Sequence, residues 1–296
     1  MGEVGAMEVD PMSEADLLKA EREVAARHMG MVPWGSVFWC FANLACWLAL
    51  WPLVLLGELP LWLGFIISTA NVALCYLPSH EAQHDIIAKP GQPLRWLNEL
   101  VGHVSTIPLG LTYGVAKLTH MEHHKHANHP ELDPDHSTHA PHALGAIWKS
   151  LVNRQPGATG GFSNYGETLQ RIGTPQAERA LMIGVLYQLF FYVFLMAMAW
   201  RGYAIEVALL WWLPQHIGQT YIQFYLSWAP HHPGEKQGRY KDTRGWRSRF
   251  GNVLTMGMQY HVVHHLYPRI PLMRTPRAYW EMKDVLEARG VQIDGL

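Results

Sequence analysis

Histidines occur in this sequence in three groups whose spacing suits metal binding. The first group is His80 and His84, four residues apart. The second and third groups both have the spacing H-x-x-H-H. Their members are His120, His123, His124, His261, His264 and His265. Residues three and four apart share one face of a helix, so each group can point its imidazoles in one direction. Eight imidazoles exceed what one tetrahedral zinc can use, and the pattern predicts two metal ions.

The first group also belongs to a different motif, because residues 80–84 read HEAQH. The pattern H-E-x-x-H on a helix is typical of zinc proteases, in which two histidines bind the metal and the glutamate is the general base. That alternative makes Glu81 the base and leaves the other two histidine groups without a role. In the two-metal interpretation, acids near the groups are candidates to fix the orientation of a ligand histidine. These acids are Glu81, Glu122, Asp133 and Asp135.

Four long runs without charged residues indicate an integral membrane protein rather than a large soluble core. They cover residues 31–57, 59–79, 180–200 and 207–230. Each has the ~20 residues that a helix needs to cross the hydrocarbon core. We therefore expect an all-α fold with four transmembrane helices in two hairpins. Their expected bounds are about 32–56, 60–79, 181–200 and 205–229.

The distribution of lysine and arginine predicts the orientation in the membrane. The polar segments 89–179 and 236–249 are rich in both residues, whereas the short joints hold only Arg201. Positive loops face the cytoplasm, so we expect both termini and all three histidine groups on that side. The expected location is a bacterial inner membrane or an equivalent membrane. A formal net charge of −1 gives no bulk field for nucleic acid, and we expect no such partner.

The N-terminal residues 1–30 are expected to form a separate cytoplasmic segment before a single membrane domain, residues 31–296. Within that segment, residues 13–29 have the pattern of an amphipathic helix. Ser13 is the expected N-cap, because acids follow it in the first turn.

Two further segments lie between the hairpins. Residues 100–116 carry no charge but are short and broken by glycine and proline, so we expect an interfacial or re-entrant segment rather than a fifth span. Residues 153–175 are rich in Gly, Asn, Gln and Thr, a composition that predicts a cytoplasmic loop.

The three histidine groups resemble those of the membrane fatty acid desaturase superfamily, which also includes carotenoid hydroxylases and ketolases. The flanks HKHANHPELDPD, at residues 124–135, and HHLYPRIP, at residues 264–271, are similar to the family's flanks as well. The segment APHHPG, at residues 229–234, resembles one found in the carotenoid ketolases. That similarity implies a ninth histidine ligand at His231 rather than His232. The resemblance covers roughly residues 35–285.

The resemblance implies four transmembrane helices beneath a cytoplasmic helical cap that holds a di-iron centre. The eight histidines of the three groups would be the catalytic ligands, with His231 as a further metal ligand. Two irons would reduce O2 with two external electrons and remove hydrogen from a long-chain lipid. We identify no haem or flavin domain in the sequence, so a separate ferredoxin or cytochrome-type donor is expected. The basic run at residues 236–249 could bind an acidic donor, although it could equally be a membrane anchor.

Within the superfamily, the sequence favours a fatty-acyl desaturase, with a carotenoid hydroxylase or ketolase as the alternative. The flanks at residues 124–135 and 264–271 support the desaturase, while the segment at residues 229–234 favours the ketolase. A non-catalytic metal carrier is a third hypothesis, opposed by the lack of an ionisable path through the spans. Aromatic residues are candidates for the wall of a substrate tunnel. They are Trp96, Tyr113, Trp148, Tyr225 and Trp228.

Overall fold

The fold is helical throughout the part of the chain that the computed structural model describes. The described residues are 12–155, 162–246, 252, 255 and 257–292. The first helices are α1 (Glu14–His28), α2 (Trp34–Leu55), α3 (Leu61–Leu74), α4 (Tyr76–Gln83), α5 (Arg95–Ser105) and α6 (Tyr113–His126). The later helices are α7 (Ala143–Val152), α8 (Phe162–Ile172), α9 (Pro175–Met198), α10 (Ala204–Val207), α11 (Leu213–Ile222), α12 (His261–Leu266) and α13 (Thr275–Ala288). The prediction of an all-α chain is therefore confirmed for these residues.

Three helical stretches are long and apolar enough to cross a membrane. They are Trp34–Leu55, Leu61–Gln83 and Pro175–Trp228. The first agrees with its expected bounds within two residues. The second combines α3 and α4 and continues four residues beyond its expected end, so that its last turn carries His80. The second candidate span, Leu61–Gln83, therefore carries His80 of the first histidine group.

The third apolar stretch reverses direction at Gly202. This residue has φ +93°, a left-handed conformation that glycine adopts without steric cost. On one side of it, Phe191 in α9 lies 4.8 Å, ring centre to ring centre, from Trp211 on the other side. Twenty residues of straight helix would separate these rings by about 30 Å. The stretch is therefore a pair of antiparallel helical arms joined where the sequence predicts a joint.

Close packing of small residues joins α3 to α11. Ser68 donates a hydrogen bond of 2.5 Å to the carbonyl of Leu210. A Cβ atom added at Gly218 of α11 would lie 2.7 Å from Cγ1 of Val72 in α3, and one at Gly64 of α3 would lie 3.1 Å from a methyl group of Leu210, in the helical turn that leads into α11. Small residues of this kind let helices approach closely in an apolar environment. The two helices are thereby held at a fixed separation below the histidine groups.

The charge-free run 100–116 forms the end of α5, a turn, and the start of α6, with no spanning helix. Side chains of α9 and of the arm after it donate to consecutive backbone carbonyls of this turn. The pairs are Tyr187 to Ile107, Trp211 to Pro108, Gln215 and Gln219 to Leu109, and Gln188 to Gly110. Irregular backbone survives at membrane depth only where protein groups satisfy it. These contacts satisfy the backbone of the turn and exclude one continuous helix over residues 100–116.

The N-terminal helix α1 packs on the C-terminal helix α13. Ser13 caps α1 as expected, accepting from the amide of Asp16 at 3.2 Å. Buried Glu21 accepts from the hydroxyls of Tyr267 and Tyr240 and pairs with two arginines. These arginines are Arg239 at 3.2 Å and Arg289 at 3.3 Å. The N-terminal segment therefore contacts the residues that follow the third histidine group.

The prediction of a loop over residues 153–175 is wrong for Phe162–Ile172, which form α8. Residues 156–161 lie outside the described part of the chain. The apolar residues of α8 recur every three to four positions, and Leu169 is buried against α6 and α9 beside Tyr165. Tertiary packing of this face outweighs the weak helix propensity of the polar residues.

Candidate metal centre

Nine histidines meet where α4, α6, α12 and the segment after Trp228 come together. The structure divides most of them between two groups of four, in each of which the possible ligand atoms lie within 4.8 Å of one another. Centre A contains His80, His84, His120 and His264. Centre B contains His123, His231, His261 and His265. Eight of the nine residues singled out from the sequence as metal ligands thus lie in one of these two groups.

The remaining residue, His124, lies beside centre A. Its Nε2 is 3.0 Å from Nε2 of His264 and 3.2 Å from Nε2 of His120. Nε2 of His84 is likewise 2.9 Å from that of His120. Ring nitrogens that converge on a common point at these distances could serve as ligands of one ion. We therefore count five imidazoles at centre A and four at centre B.

In centre B, protein acceptors hold Nδ1 of three rings. His123 donates to Oδ1 of Asp133 at 2.9 Å, and His231 donates to the carbonyl of Asp242 at 2.9 Å. Nδ1 of His261 lies 2.8 Å from the sulfur of Met258. Carboxylate and carbonyl oxygens only accept, so Nδ1 of His123 and of His231 carries a proton, and Nε2 is the nitrogen that would face a metal at centre B.

Buried ring nitrogens without a protein partner support the same assignment. Both nitrogens of His80 are buried and unpartnered, as are Nε2 of His261, Nδ1 of His264 and Nε2 of His265. A buried polar atom without a partner costs about 1–3 kcal/mol. Metal coordination would satisfy one nitrogen of His80 and Nε2 of His261 and of His265, and the all-nitrogen donor set suits iron, zinc, copper or nickel.

Electrostatics keep most of these rings neutral, as metal ligation requires. Burial lowers the pKa of His84, His120 and His124 well below the usual value, and neighbouring imidazoles lower it further. The same two causes act on the remaining members outside the spans, which are His231, His261, His264 and His265.

His123 is the exception. Burial alone would lower its pKa, but the charge and hydrogen bond of Asp133 raise it to about 9. The same contact lowers the pKa of the Asp133 carboxyl, so this acid is ionised. An ionised carboxylate behind a ligand histidine fixes the ring and increases its basicity.

The four acids proposed to orient ligand histidines do not share one role. Asp133 contacts His123 as expected. Glu81 instead accepts from the backbone amide of Leu272 at 2.9 Å, Glu122 pairs with Lys125, and Asp135 accepts from the hydroxyls of Tyr165 and Ser227. One oxygen of Glu81 is therefore engaged by a backbone amide rather than by a ligand histidine.

Helix α4 is fixed from the side that carries no ligand. The carbonyl of Ala82 accepts from Asn98 at 3.0 Å and from the hydroxyl of Tyr113 at 2.8 Å. Just beyond α4, Asp85 has φ +55° and pairs with Arg95 at 2.6 Å and Lys117 at 2.7 Å. These contacts set the direction of His80 and His84.

A cavity leads away from the two centres. At its inner end it is lined by His80, His120, His123 and His261. Its remaining walls are Tyr76, Leu109, Leu111, Ala116, Thr119, Asp135, Arg154, Tyr165, Gln219, Ile222, Gln223, Leu226 and Ser227. None of the five aromatic residues proposed for a tunnel wall lines it, and Trp96 and Trp148 are exposed. Sequence reasoning missed Arg154, Tyr165 and Ser227, because no motif marks them.

Three of the histidines outside the two centres make local contacts. His142 accepts from the amide of Gly145 as the N-cap of α7, and His28 lies 3.1 Å from Glu281. His232, next to His231 in sequence, packs against the ring of Trp228. The two neighbouring rings therefore have different surroundings, with His231 in centre B and His232 against Trp228.

Comparison with known proteins gives one consistent family. The family model described as fatty acid desaturase matches residues 47–295. Dihydrorhizobitoxine desaturase of Bradyrhizobium elkanii is 26% identical over 217 residues, which cover 65% of this chain and 59% of that protein. Chloroplastic omega-3 fatty acid desaturase of Glycine max is 26% identical over 211 residues, 59% of this chain and 44% of that protein.

A cyanobacterial relative matches over a shorter stretch. The sn-1 oleoyl-lipid 12-desaturase of Anabaena variabilis is 30% identical over 92 residues, 31% of this chain and 25% of that protein. The chain spans less than two thirds of the length of each of these relatives. The family model nevertheless covers most of the chain and includes every histidine of both centres. The chain belongs to the fatty acid desaturase family and is a member of the membrane desaturase superfamily.

Proposed function

We propose that this protein is a membrane-bound, O2-dependent di-iron oxidoreductase that acts as a fatty-acyl desaturase. The observation that carries the proposal is the pair of histidine centres at the inner end of one cavity, with buried ring nitrogens that have no protein partner. A di-iron centre supplies oxidation of an unactivated C–H bond, which side-chain acids and bases cannot achieve.

The proposed ligands are all nine histidines. His80, His84, His120, His124 and His264 would hold one iron, and His123, His231, His261 and His265 the other. Asp133 orients His123 and keeps its Nδ1 protonated, and the Asp242 carbonyl does the same for His231. In a desaturation, the substrate loses two hydrogens while O2, two electrons and two protons form two waters. The electrons would come from a separate ferredoxin or cytochrome-type protein.

The proposed topology has four membrane spans. The two arms of Pro175–Trp228 would each cross once, which pairs them with α2 and the α3–α4 stretch as two hairpins. Lysine and arginine in the segments between and after the hairpins would keep the metal centres on the cytoplasmic side. The exposed apolar residues of both arms, among them Leu189 and Met196 in the first and Ile205 in the second, support contact with lipid.

A carotenoid hydroxylase or ketolase is the second candidate function. One observation favours it, namely that His231, in the ketolase-like segment APHHPG, lies within centre B, 3.1 Å from Nε2 of His123. The cavity favours the desaturase, because its wall carries Arg154, a charged residue that a wholly apolar carotenoid would leave unpaired.

Expression in hosts that make carotenoids or only ordinary lipids would test the proposal. Mass spectrometry should show loss of two hydrogens from acyl chains. Addition of an oxygen to carotenoid would instead select the second candidate. Metal analysis of the purified protein should give near two irons per chain, whereas a single zinc would refute the di-iron assignment.

A further inference from the structure

The cavity runs along one face of the helical arm that precedes centre B. Gln219, Ile222, Gln223, Leu226 and Ser227 all line it. Ser227 marks the end near the histidines, because it donates to Asp135 and His231 follows one turn later. The opposite end is marked by Arg154, which lines the cavity from the residues after α7. The cavity therefore has polar groups at both ends and apolar walls that include Leu109, Ile222 and Leu226.

The guanidinium of Arg154 contacts only neutral groups among the described residues. Its Nη1 donates to Ser150 at 2.7 Å and to Gln223 at 3.0 Å. Its Nη2 donates to the carbonyl of His216 at 3.1 Å and to the hydroxyl of Thr220. Its Nε–H is buried without an acceptor. No ion pair found in the described part of the chain involves this arginine.

A partly buried cation without a counter-charge is unfavourable at this depth. The arginine is bound to residues of α11, within the third apolar stretch. Helix α7, which leads to it, turns Leu144 and Trp148 outward, with 77% and 68% of their surface exposed. Transfer of a charge into such an apolar environment is costly unless the charge is paired. Holding α7 against α11 needs hydrogen bonds but no positive charge, so a purely structural role leaves the charge unexplained.

We propose that Arg154 binds an oxyanion at the end of the apolar chain of the substrate. The inference rests on the proposed function, in which this cavity holds the lipid to be oxidised. The substrate would then be an amphiphile whose carboxylate or phosphate pairs with Arg154. Its apolar part would pass Leu109, Ile222 and Leu226 to reach the histidine centres.

This placement also fixes the distance between the anionic group and the carbon that is oxidised. Thr220, which contacts Arg154, and Ser227 are seven residues apart, about 10 Å along a helix. The arginine would anchor one end of the chain, so the same carbon would be presented each time. Arg154 is in this view a residue that determines regioselectivity.

Equilibrium binding of three probes to the full chain in neutral-lipid nanodiscs would test the proposal. The probes are dodecanoate, dodecyl phosphate and methyl dodecanoate, which share an apolar chain and differ in charge. The wild type should bind one of the anions at least about tenfold more tightly than the ester, the gain expected from one charge-assisted hydrogen bond. The anion that binds more tightly identifies carboxylate or phosphate as the recognised group.

Variants should separate the charge from its structural contacts. Arg154→Met should remove the preference for the anions, and Arg154→Lys should keep part of it. If Arg154→Met does not fold, Gln223→Glu places a carboxylate beside the guanidinium and should abolish the preference without removing the arginine. Equal binding of ester and anions by the wild type, or an anion preference retained in Gln223→Glu, would overturn the proposal. Binding requires no O2 or electrons, so the result is independent of the oxidation tests.

Discussion

His123 and Asp133 form a buried pair in which Nδ1 of the imidazole lies 2.9 Å from the carboxylate. On the other side of the ring, Nε2 lies 3.1 Å from Nε2 of His231. The carboxylate thus directs the free nitrogen of His123 into centre B.

We expect Asp133→Asn to weaken metal binding at centre B by about 10–100-fold, the usual effect of losing a carboxylate behind a ligand histidine. Titration of iron into the metal-free protein, followed by metal analysis, measures this change. Glu122→Gln is the matched control, because Glu122 pairs with Lys125 and not with a histidine of either centre. Unchanged iron affinity in Asp133→Asn would contradict the role of the pair.

The neighbouring histidines 231 and 232 provide a second test. We expect His231→Ala to lower the iron content and abolish oxidation, because its Nε2 faces centre B. His232→Ala should retain both irons, because that ring packs on Trp228 instead. Iron quantification on the two purified variants decides the matter. Equal iron loss in both would argue against His231 as a specific ligand.

The close contact between α3 and α11 should make Gly218 intolerant of substitution. An added Cβ would lie 2.7 Å from Val72 and 3.1 Å from the backbone nitrogen of Ala73, so the helices must separate. We expect Gly218→Ala to lower the free energy of unfolding by about 1–3 kcal/mol. Thermal unfolding in detergent measures the effect. Gly35→Ala, where nothing lies within 4 Å, should cause no loss of stability.

The contacts of Glu21 predict that the N-terminal helix stabilises the third histidine group. Glu21→Gln removes the negative charge that pairs with two arginines and should lower the free energy of unfolding by about 1–3 kcal/mol. The loss is limited because the amide oxygen can still accept from a tyrosine. Tyr267, one of the tyrosines it binds, is two residues from His265, so iron should also dissociate faster from this variant. Exposed Glu23 provides the control Glu23→Gln. If Glu21→Gln had the stability and the rate of iron release of the wild type, α1 would have no stabilising role at the third histidine group.

The histidines of the centres could be found from the sequence because metal ligation imposes a helical period. His120, His123 and His124 must share a face, and that spacing is visible without a structure. His231 has no such local pattern and was identified only through the similarity of its segment to a known one. The joint at Gly202 was predictable too, since charge-free runs end on both sides of it.

Other features depend on contacts between distant segments and leave no local signal. Helix α8 forms in a polar stretch because Leu169 and Tyr165 pack against other helices. Glu81 lies in a familiar motif, yet its partner is an amide 191 residues later. In the sequence, Arg154 resembles any cation of a loop, whereas in the structure α7 places it against α11. The periodicity of a sequence predicts which face of a helix is apolar or binds a metal, but it does not predict which distant residues pack against that face.

The histidine centres also join remote parts of the chain. His84 meets His120 across 36 residues, His123 meets His231 across 108, and His124 meets His264 across 140. An ion held by such residues acts as a cross-link, and the entropy it removes from the unfolded chain grows with the length of the loops it closes. Metal binding would therefore occur late in folding, after the two hairpins of the chain have packed against each other.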